Sequence, residues 1–179
     1  MKLNPRVLAI VGMIAAAAAW RLVPHPPNFT PVAAIALFGG ACLHSRLASL
    51  LVPLAALFVS DLVLGFYPHM AAVYAGFALT VMLGWLLAAR RTPVRIAGAA
   101  LASSVLFFVL TNLDIWAFTS HYPKTWAGLV ECYTAALPFF RNSLLSDALF
   151  TTLLFGGLWL TERRWPALDD ARTLAARPA

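Results

Sequence analysis

The chain contains 179 residues, of which 61% are hydrophobic and 11% are charged. Soluble globular domains do not have so apolar a composition, so the chain is predicted to be an integral membrane protein. Its formal net charge is +6, but the basic residues are dispersed beside apolar segments, which favours contact with anionic lipid headgroups and argues against nucleic-acid binding.

Six apolar segments follow one another along the chain, separated by clusters of proline, glycine and arginine. They predict transmembrane helices at about residues 6–23, 31–43, 47–66, 70–89, 95–119 and 138–161. Most of these segments reach the roughly 20 residues that a hydrocarbon core of about 30 Å requires. The predicted fold is therefore an all-α membrane protein with six transmembrane helices, in which residues 1–161 form one transmembrane domain and residues 162–179 form a short polar tail.

The second predicted helix is shorter than the others. Thr30 followed by Pro31 is typical of an N-cap residue and a first helical residue. We expect this helix to begin part-way into the membrane, where only protein or water can shelter its free amide groups.

Basic residues are distributed unevenly between the two sides of this map. Ten of the thirteen lie at the termini and in the even-numbered loops, namely Lys2, Arg6, Arg46, Arg90, Arg91, Arg95, Arg163, Arg164, Arg172 and Arg177, whereas Arg21, Lys124 and Arg141 lie on the other side. Because positively charged loops remain in the cytoplasm, both termini are predicted to be cytoplasmic. The composition looks bacterial, so the predicted location is the bacterial cytoplasmic (inner) membrane.

The side opposite those arginines carries most of the polar residues that can contact a ligand. A charged residue inside an apolar helix costs about 2.5 to 3.5 kcal/mol on insertion scales, so each one suggests a function. The predicted ligand-contacting residues are Arg21, His25, Asn28, Asp61, His69, Asn112, Asp114, Trp116, Cys132, Tyr133, Arg141, Asn142 and Asp147. Arg141 has a structural alternative, which is to pair with Asp61 or Asp114, and both roles remain open.

Two loops are predicted to cover this site. Residues 120–137 form a long connector between the fifth and sixth helices, and long loops over a pocket commonly act as lids. Prolines stiffen the first loop, at residues 24–27. On the sixth helix, Asn142 and Ser146 are four residues apart and share one face. We expect a hydrated cup formed by helices three, five and six and closed by loops one and five.

No enzyme or metal-site signature is present in the sequence. The histidines and Cys132 come from separate loops and have no CxxC or HxxxH spacing, so no free metal ion or other cofactor is predicted, although a metal held inside a larger ligand such as a corrinoid remains open. The chain also lacks the G-x-S-x-G, HExxH and G-x-x-x-x-G-K-[ST] motifs. Two alternatives to a binding protein remain, an outward-facing membrane enzyme using Cys132 or the aspartates, and a membrane scaffold without a ligand.

Four local sequences carry a resemblance to other proteins: residues 21–31 (RLVPHPPNFTP), 60–65 (SDLVLG), 111–112 (TN) and 132–142 (CYTAALPFFRN). They resemble an uncharacterised family of small bacterial six-helix membrane proteins. In its six helices, its Ala-rich first helix and its polar outer loops, the chain also resembles the S-component, the substrate-capture subunit, of energy-coupling-factor vitamin transporters.

The S-component resemblance implies capture of a small vitamin-like nutrient in an outward-facing pocket. It also implies docking on a transmembrane coupling subunit that works with ATPases. S-components dock through an A-x-x-x-A surface on the first helix, which Ala15 and Ala19 match, because small residues let helices approach closely. Since the sequence shows no polar cavity on the cytoplasmic side, inward release is expected to need tipping of the protein or a partner.

Overall fold

The described part of the chain is all-helical, as the sequence predicts. The structure is a computed structural model that describes residues 4–165 and residue 168. The six α-helices within it are α1 Pro5–Ala19, α2 Val32–Cys42, α3 Arg46–Leu64, α4 Met70–Trp85, α5 Pro93–Phe118 and α6 Trp126–Arg164. A 3₁₀ turn, Trp20–Leu22, extends α1. Apart from the end of α6 and the residues just beyond it, the predicted tail lies outside the described residues.

Four of these helices are long and apolar enough to cross a membrane, judged by length and composition. They are α1 together with its 3₁₀ turn, α3, α5 and α6. The apolar helices α2 and α4 contain only 11 and 16 residues. At 1.5 Å per residue α2 is about 16 Å long, roughly half the thickness of a bilayer core. The predicted short second helix is therefore present, and two of the six helices are shorter than a full span.

Helix α2 forms the centre of the bundle. All 11 of its residues are buried, and it packs against α3, α4 and α6. Its contact with α4 depends on glycines, because a Cβ atom built on Gly40 would overlap the Val81 carbonyl and one built on Gly84 would lie 2.5 Å from the Leu37 carbonyl. The backbones of α2 and α4 thus touch, and protein rather than lipid surrounds the short helix.

Side-chain caps begin four of the helices. Asn4 accepts a hydrogen bond from the Arg6 amide, and Ser45, Thr92 and Thr125 cap α3, α5 and α6 in the same way. The predicted cap of α2 by Thr30 is wrong. Pro31 occupies the N-cap position without a side-chain hydrogen bond, and the Thr30 carbonyl accepts the Ser146 hydroxyl of α6.

Helix α6 begins twelve residues earlier than the sequence predicts. It starts at Trp126 rather than residue 138, so residues 126–137 are helical and the predicted long lid is wrong. Pro138 marks the predicted start because proline lacks an amide donor, but here it lies inside the helix, which continues through it. With 39 residues, α6 is about 58 Å long and exceeds the bilayer core at 1.5 Å per residue.

Successive helices run antiparallel, which gathers the charges at two ends. At the end that we call the basic end, buried Arg6 of α1 donates to the Cys42 carbonyl at 2.9 Å and to Glu162 Oε1 at 3.1 Å. The predicted basic group is found there for its described members, which are Arg6, Arg46, Arg90, Arg91, Arg95, Arg163 and Arg164. Lys2, Arg172 and Arg177 lie outside the described residues. The other end, which we call the carboxylate end, holds Asp61 and Asp114; the side of the membrane that each end faces stays a prediction.

Candidate ligand-binding cavity

A buried salt bridge joins α1 to α3 at the carboxylate end. Arg21, in the 3₁₀ turn, donates from Nη2 to Asp61 Oδ1 at 2.7 Å, and its Nη1 donates to the Ser60 hydroxyl. Asp61 is fully buried, and its second oxygen accepts the Tyr74 hydroxyl at 2.8 Å. Charge-assisted hydrogen bonds on both oxygens compensate the burial of this carboxylate. Asp61 is thereby occupied within the protein.

The structural alternative for Arg141, in which it pairs with Asp61 or Asp114, is wrong. Asp61 is paired with Arg21, and Asp114 lies 2.6 Å from His69 Nδ1. Arg141 is exposed and makes no hydrogen bond or ion pair within the described part of the chain. The reason is that packing of α1 on α3 brings Arg21 to Asp61, while His69 at the start of α4 bonds to Asp114.

His69 ties the start of α4 to the end of α5. Its backbone has a φ of 67°, in the left-handed region that non-glycine residues seldom adopt. This conformation immediately precedes Met70, the first residue of α4. The turn that carries the His69 side chain is therefore strained. Its hydrogen bond to Asp114 connects the start of α4 to the end of α5.

A cavity of about 530 Å³ lies beside these ties, between loop one, α5 and α6. Its polar lining includes Arg21, Asn28, Thr30, Asn112, Ser143 and Asp147, and its aromatic lining includes Phe107, Phe108, Phe139 and Phe140. The volume falls within the range of about 300 to 1,000 Å³ that is usual for small-molecule sites. An apolar wall with a few polar groups is also typical of such sites.

Four of the predicted ligand-contacting residues line this cavity: Arg21, Asn28, Asn112 and Asp147. The other nine do not line it: His25, Asp61, His69, Asp114, Trp116, Cys132, Tyr133, Arg141 and Asn142. The predicted cup of helices three, five and six is therefore wrong for helix three, although helices five and six do line the cavity. Helix α3 contributes no described lining residue, because its carboxylate is directed toward Arg21 and α4; loop one provides that wall instead.

Loop one is fastened to α6 by two hydrogen bonds. Asn142 Nδ2 donates to the Pro27 carbonyl at 2.9 Å, and the Ser146 hydroxyl donates to the Thr30 carbonyl at 2.8 Å. The shared face of Asn142 and Ser146 is thus confirmed, but it positions the loop rather than lining the cavity. Asn28, between the two attachment points, adopts a φ of 59° and lines the cavity wall.

The turn between α5 and α6 folds back onto α5. Trp116 Nε1 donates to the Pro123 carbonyl at 3.0 Å, and Lys124 Nζ donates to the carbonyls of Trp116 and Thr119. A Cβ atom on Gly128 would overlap the Pro123 carbonyl, so this turn is tightly packed. Trp116 therefore holds the turn together.

Cys132 and Tyr133 connect α6 to α5. The Cys132 thiol is buried and lies 3.5 Å from the Asn112 carbonyl, while the Tyr133 hydroxyl donates to the Val109 carbonyl at 2.7 Å. Among the described residues the thiol has no hydrogen bond to a histidine, the usual base for a nucleophilic cysteine. Within the described ranges, no three His, Cys, Asp or Glu side chains form a group that holds a metal ion.

Tyr67 lies at the cavity rim, in the connection between α3 and α4. Burial is the main cause that raises the pKa of its phenol, and the negative charge of Asp61 raises it further. The phenol is accordingly neutral at physiological pH and offers a hydrogen-bond donor to the cavity.

The model of a family described as a family of unknown function (DUF6580) matches residues 1–168. The chain belongs to this family. Neither a curated protein nor a solved structure matches the chain. The match covers all six helices and therefore all the residues that line the cavity.

Asp147 forms the floor of the cavity in this DUF6580 chain. It is 5% exposed, and its Oδ2 accepts the Ser104 hydroxyl at 2.6 Å. Sequence reasoning did not single out Ser104. A usable signal is the pair Ser103 and Ser104 in the middle of an apolar helix, since a polar pair at that depth needs partners. The phenylalanine pairs that line the cavity were missed because aromatic residues are ordinary in membrane helices.

A second cavity, of about 930 Å³, lies between α5 and α6 at the basic end of the DUF6580 fold. Its lining is mainly apolar, with Arg91 and Glu162 toward the basic end and Ser104 and Asp147 at the other end. This cavity is a space at the basic end that the sequence does not predict, and a few polar groups line it. Hydropathy alone does not reveal it, because the cavity depends on how far apart two apolar helices pack.

Proposed function

We propose that this protein is a membrane binding or uptake protein of the bacterial cytoplasmic membrane that captures a small vitamin-like nutrient. The observation that supports this most directly is the 530 Å³ cavity, in which Arg21, Asn28, Asn112 and Asp147 converge among phenylalanine rings. Concave, mostly apolar sites with a few polar groups are where proteins bind small molecules.

The lining favours a flat, partly polar ligand. The Phe108 and Phe140 rings lie 4.4 Å apart, are inclined by 31° and both line the cavity, so together they form an aromatic part of its wall that suits a heterocycle. Both terminal nitrogens of Arg21 donate hydrogen bonds to α3, but its Nε has no hydrogen-bond partner among the described residues. This donor is buried, so a ligand with a hydrogen-bond acceptor would satisfy it only if the Arg21 side chain turned toward the cavity.

The proposed direction of capture is from outside the cell. If both termini are cytoplasmic, the carboxylate end and its cavity face outward. Loop one then covers the ligand, while the short turn before α6 takes no part in closure. Removing water from the closed site would strengthen each polar contact.

Coupling to an energy source is proposed to use the first helix. Ala15 and Ala19 are exposed on α1, whereas Ala17 and Ala18 are buried against the bundle. Exposed small residues at this spacing suit close packing against another transmembrane helix. The proposed partner is a transmembrane coupling subunit that works with ATPases.

A pair of substitutions on α6 tests the cavity. Ser143 lines it, and its hydroxyl bonds to the Phe139 carbonyl at 3.3 Å, whereas exposed Thr134 makes the same type of bond to the Val130 carbonyl at 2.7 Å. Ser143→Phe is expected to fill the cavity and abolish retention of the nutrient, measured by native mass spectrometry of gently solubilised protein. Thr134→Phe is the matched control and should retain it.

The same two variants are then compared with the wild type by thermal unfolding against a panel of water-soluble vitamins. The proposal expects one class of compound to raise the unfolding temperature of the wild type and of Thr134→Phe but not of Ser143→Phe. Absence of any retained or stabilising compound in the wild type, or equal responses in the two variants, would count against it.

A further inference from the structure

We infer that Ser104, Asp147 and Thr151 form a binding site for a single monovalent cation that can be reached from both cavities. The site lies between α5 and α6. Cation binding as such is independent of the nutrient; only its use to drive uptake rests on the proposed function.

The two cavities meet at one pair of side chains. The carboxylate-end cavity is lined by α5 from Ser104 onward and by α6 as far as Asp147, whereas the basic-end cavity is lined by α5 up to Ser104 and by α6 from residue 144 to Glu162. Ser104 and Asp147 are the residues common to both linings. Ser104 is the twelfth of the 26 residues of α5, so the pair lies near mid-helix. A cation bound to it has a route toward either end.

Thr151 offers a third oxygen on the same helix as Asp147. Thr151 is one helical turn from Asp147 on α6, is 5% exposed and lines the basic-end cavity. Its hydroxyl is buried and has no hydrogen-bond partner in the described part of the chain. Leaving such a group unsatisfied costs about 1 to 3 kcal/mol. Two hydroxyl oxygens and a carboxylate are the hard ligands that alkali and alkaline-earth cations prefer.

Charge selects a monovalent ion. Among the described residues no arginine, lysine or histidine pairs with Asp147, and its hydrogen-bond partner is Ser104. The other titratable groups that line the two cavities are Arg21, Tyr67, Cys42, Arg91 and Glu162. One positive charge neutralises the carboxylate, whereas a divalent ion would leave an excess charge within the apolar span.

The hydrogen bonding also accommodates a proton as that cation. The Ser104 hydroxyl lies 2.6 Å from Asp147 Oδ2 and 3.0 Å from the Ala100 carbonyl. When Asp147 is ionised, Ser104 donates to it. When Asp147 carries a proton, the carboxylic acid can donate to the serine oxygen while the serine hydroxyl donates to Ala100. The pair is therefore hydrogen-bonded in both states, and Na⁺ and H⁺ are two sources of the same neutralising charge.

The test uses the purified full chain and needs no nutrient. Thermal unfolding is measured in sodium chloride and in choline chloride at equal ionic strength, and then across a pH series in choline chloride. The wild type is expected to be stabilised by Na⁺, or to show a pH dependence in choline, that Asp147→Asn removes. Glu131→Gln is the control, because it alters another carboxylate of α6 that is exposed and lines neither cavity, and it should keep the cation response.

Two further variants separate cation binding from a general effect on folding. Thr151→Val and Ser104→Ala retain the carboxylate and are expected to weaken apparent Na⁺ affinity at least ten-fold, or to shift the pH midpoint if the cation is H⁺. They also serve if Asp147→Asn does not fold.

Each outcome has one meaning. A sodium response that depends on Asp147 identifies Na⁺, and a pH response alone that depends on Asp147 identifies H⁺. Equal unfolding temperatures in all media for the wild type, or responses that all the variants share, would overturn the inference. Ser143→Phe tests the nutrient cavity separately. If the proposed function fails, the cation responses of the wild type and of Asp147→Asn can still be interpreted.

Discussion

Arg21 and Asp61, forty residues apart in the chain, form a 2.7 Å salt bridge that fastens the end of α1 to α3. Asp61 is fully buried and the Arg21 side chain is 10% exposed, so neither charge is well solvated without the other. The bridge both stabilises the carboxylate end and places an arginine at the wall of the cavity.

Breaking this bridge from one side is expected to be costly. Arg21→Leu leaves a buried carboxylate without its cation, and losses of about 3 to 5 kcal/mol are typical when one partner of a buried pair is removed. The unfolding temperature should therefore fall sharply in Arg21→Leu and recover in part in the double variant Arg21→Leu/Asp61→Leu. Exposed Arg90→Ala is the control; equal losses in Arg90→Ala and Arg21→Leu would contradict a specific role for the bridge.

Loop one is expected to loosen when its attachment to α6 is cut. Asn142→Ala and Ser146→Ala each remove one hydrogen bond to a loop carbonyl, worth about 0.5 to 1.5 kcal/mol. Hydrogen–deuterium exchange of the amides at residues 28–30 should rise in both variants. Thr152→Ala, which removes a hydroxyl bonded to its own helix, should leave that exchange unchanged; protection that persists in the Asn142 and Ser146 variants would refute the attachment.

The contact between α2 and α4 is expected to reject even a methyl group. Gly40→Ala places a Cβ against the Val81 carbonyl, whereas Gly98→Ala places one in open space on α5. The first change should lower the unfolding temperature, and the second should leave it equal or raise it, because alanine is favoured over glycine in a helix by roughly 1 kcal/mol. An identical effect of the two changes would mean that the helices separate easily.

Orientation is testable with two exposed turn residues at opposite ends of the bundle. In a background without Cys42 and Cys132, Ser120→Cys should react with a membrane-impermeant thiol reagent in intact cells. Ala89→Cys, at the basic end, should react only after the membrane is opened, because positively charged loops stay in the cytoplasm. The reverse pattern would place the 530 Å³ cavity on the cytoplasmic side and remove the basis for capture from outside.

Several features of the candidate site follow from residues near one another in the chain. The shared face of Asn142 and Ser146 comes directly from the helical repeat, and the depth of Asp147 comes from counting along an apolar helix. The partners of the charged side chains cannot be predicted in this way. Arg141 has two aspartates within plausible reach on a linear map, yet α1 supplies the arginine that Asp61 bonds, and a loop histidine takes Asp114.

The amino-acid sequence by itself determined the helical class, the short second helix and the gathering of arginines at one end, because apolar length and the exclusion of charge from lipid act on each segment separately. Only the tertiary structure decided that Asp61 is bonded to Arg21 and that Asp147 lines both cavities. That outcome depends on the rotation and spacing of packed helices, and therefore on contacts such as Gly40 against Val81 and Ser104 against Asp147, whose partners are distant in the chain.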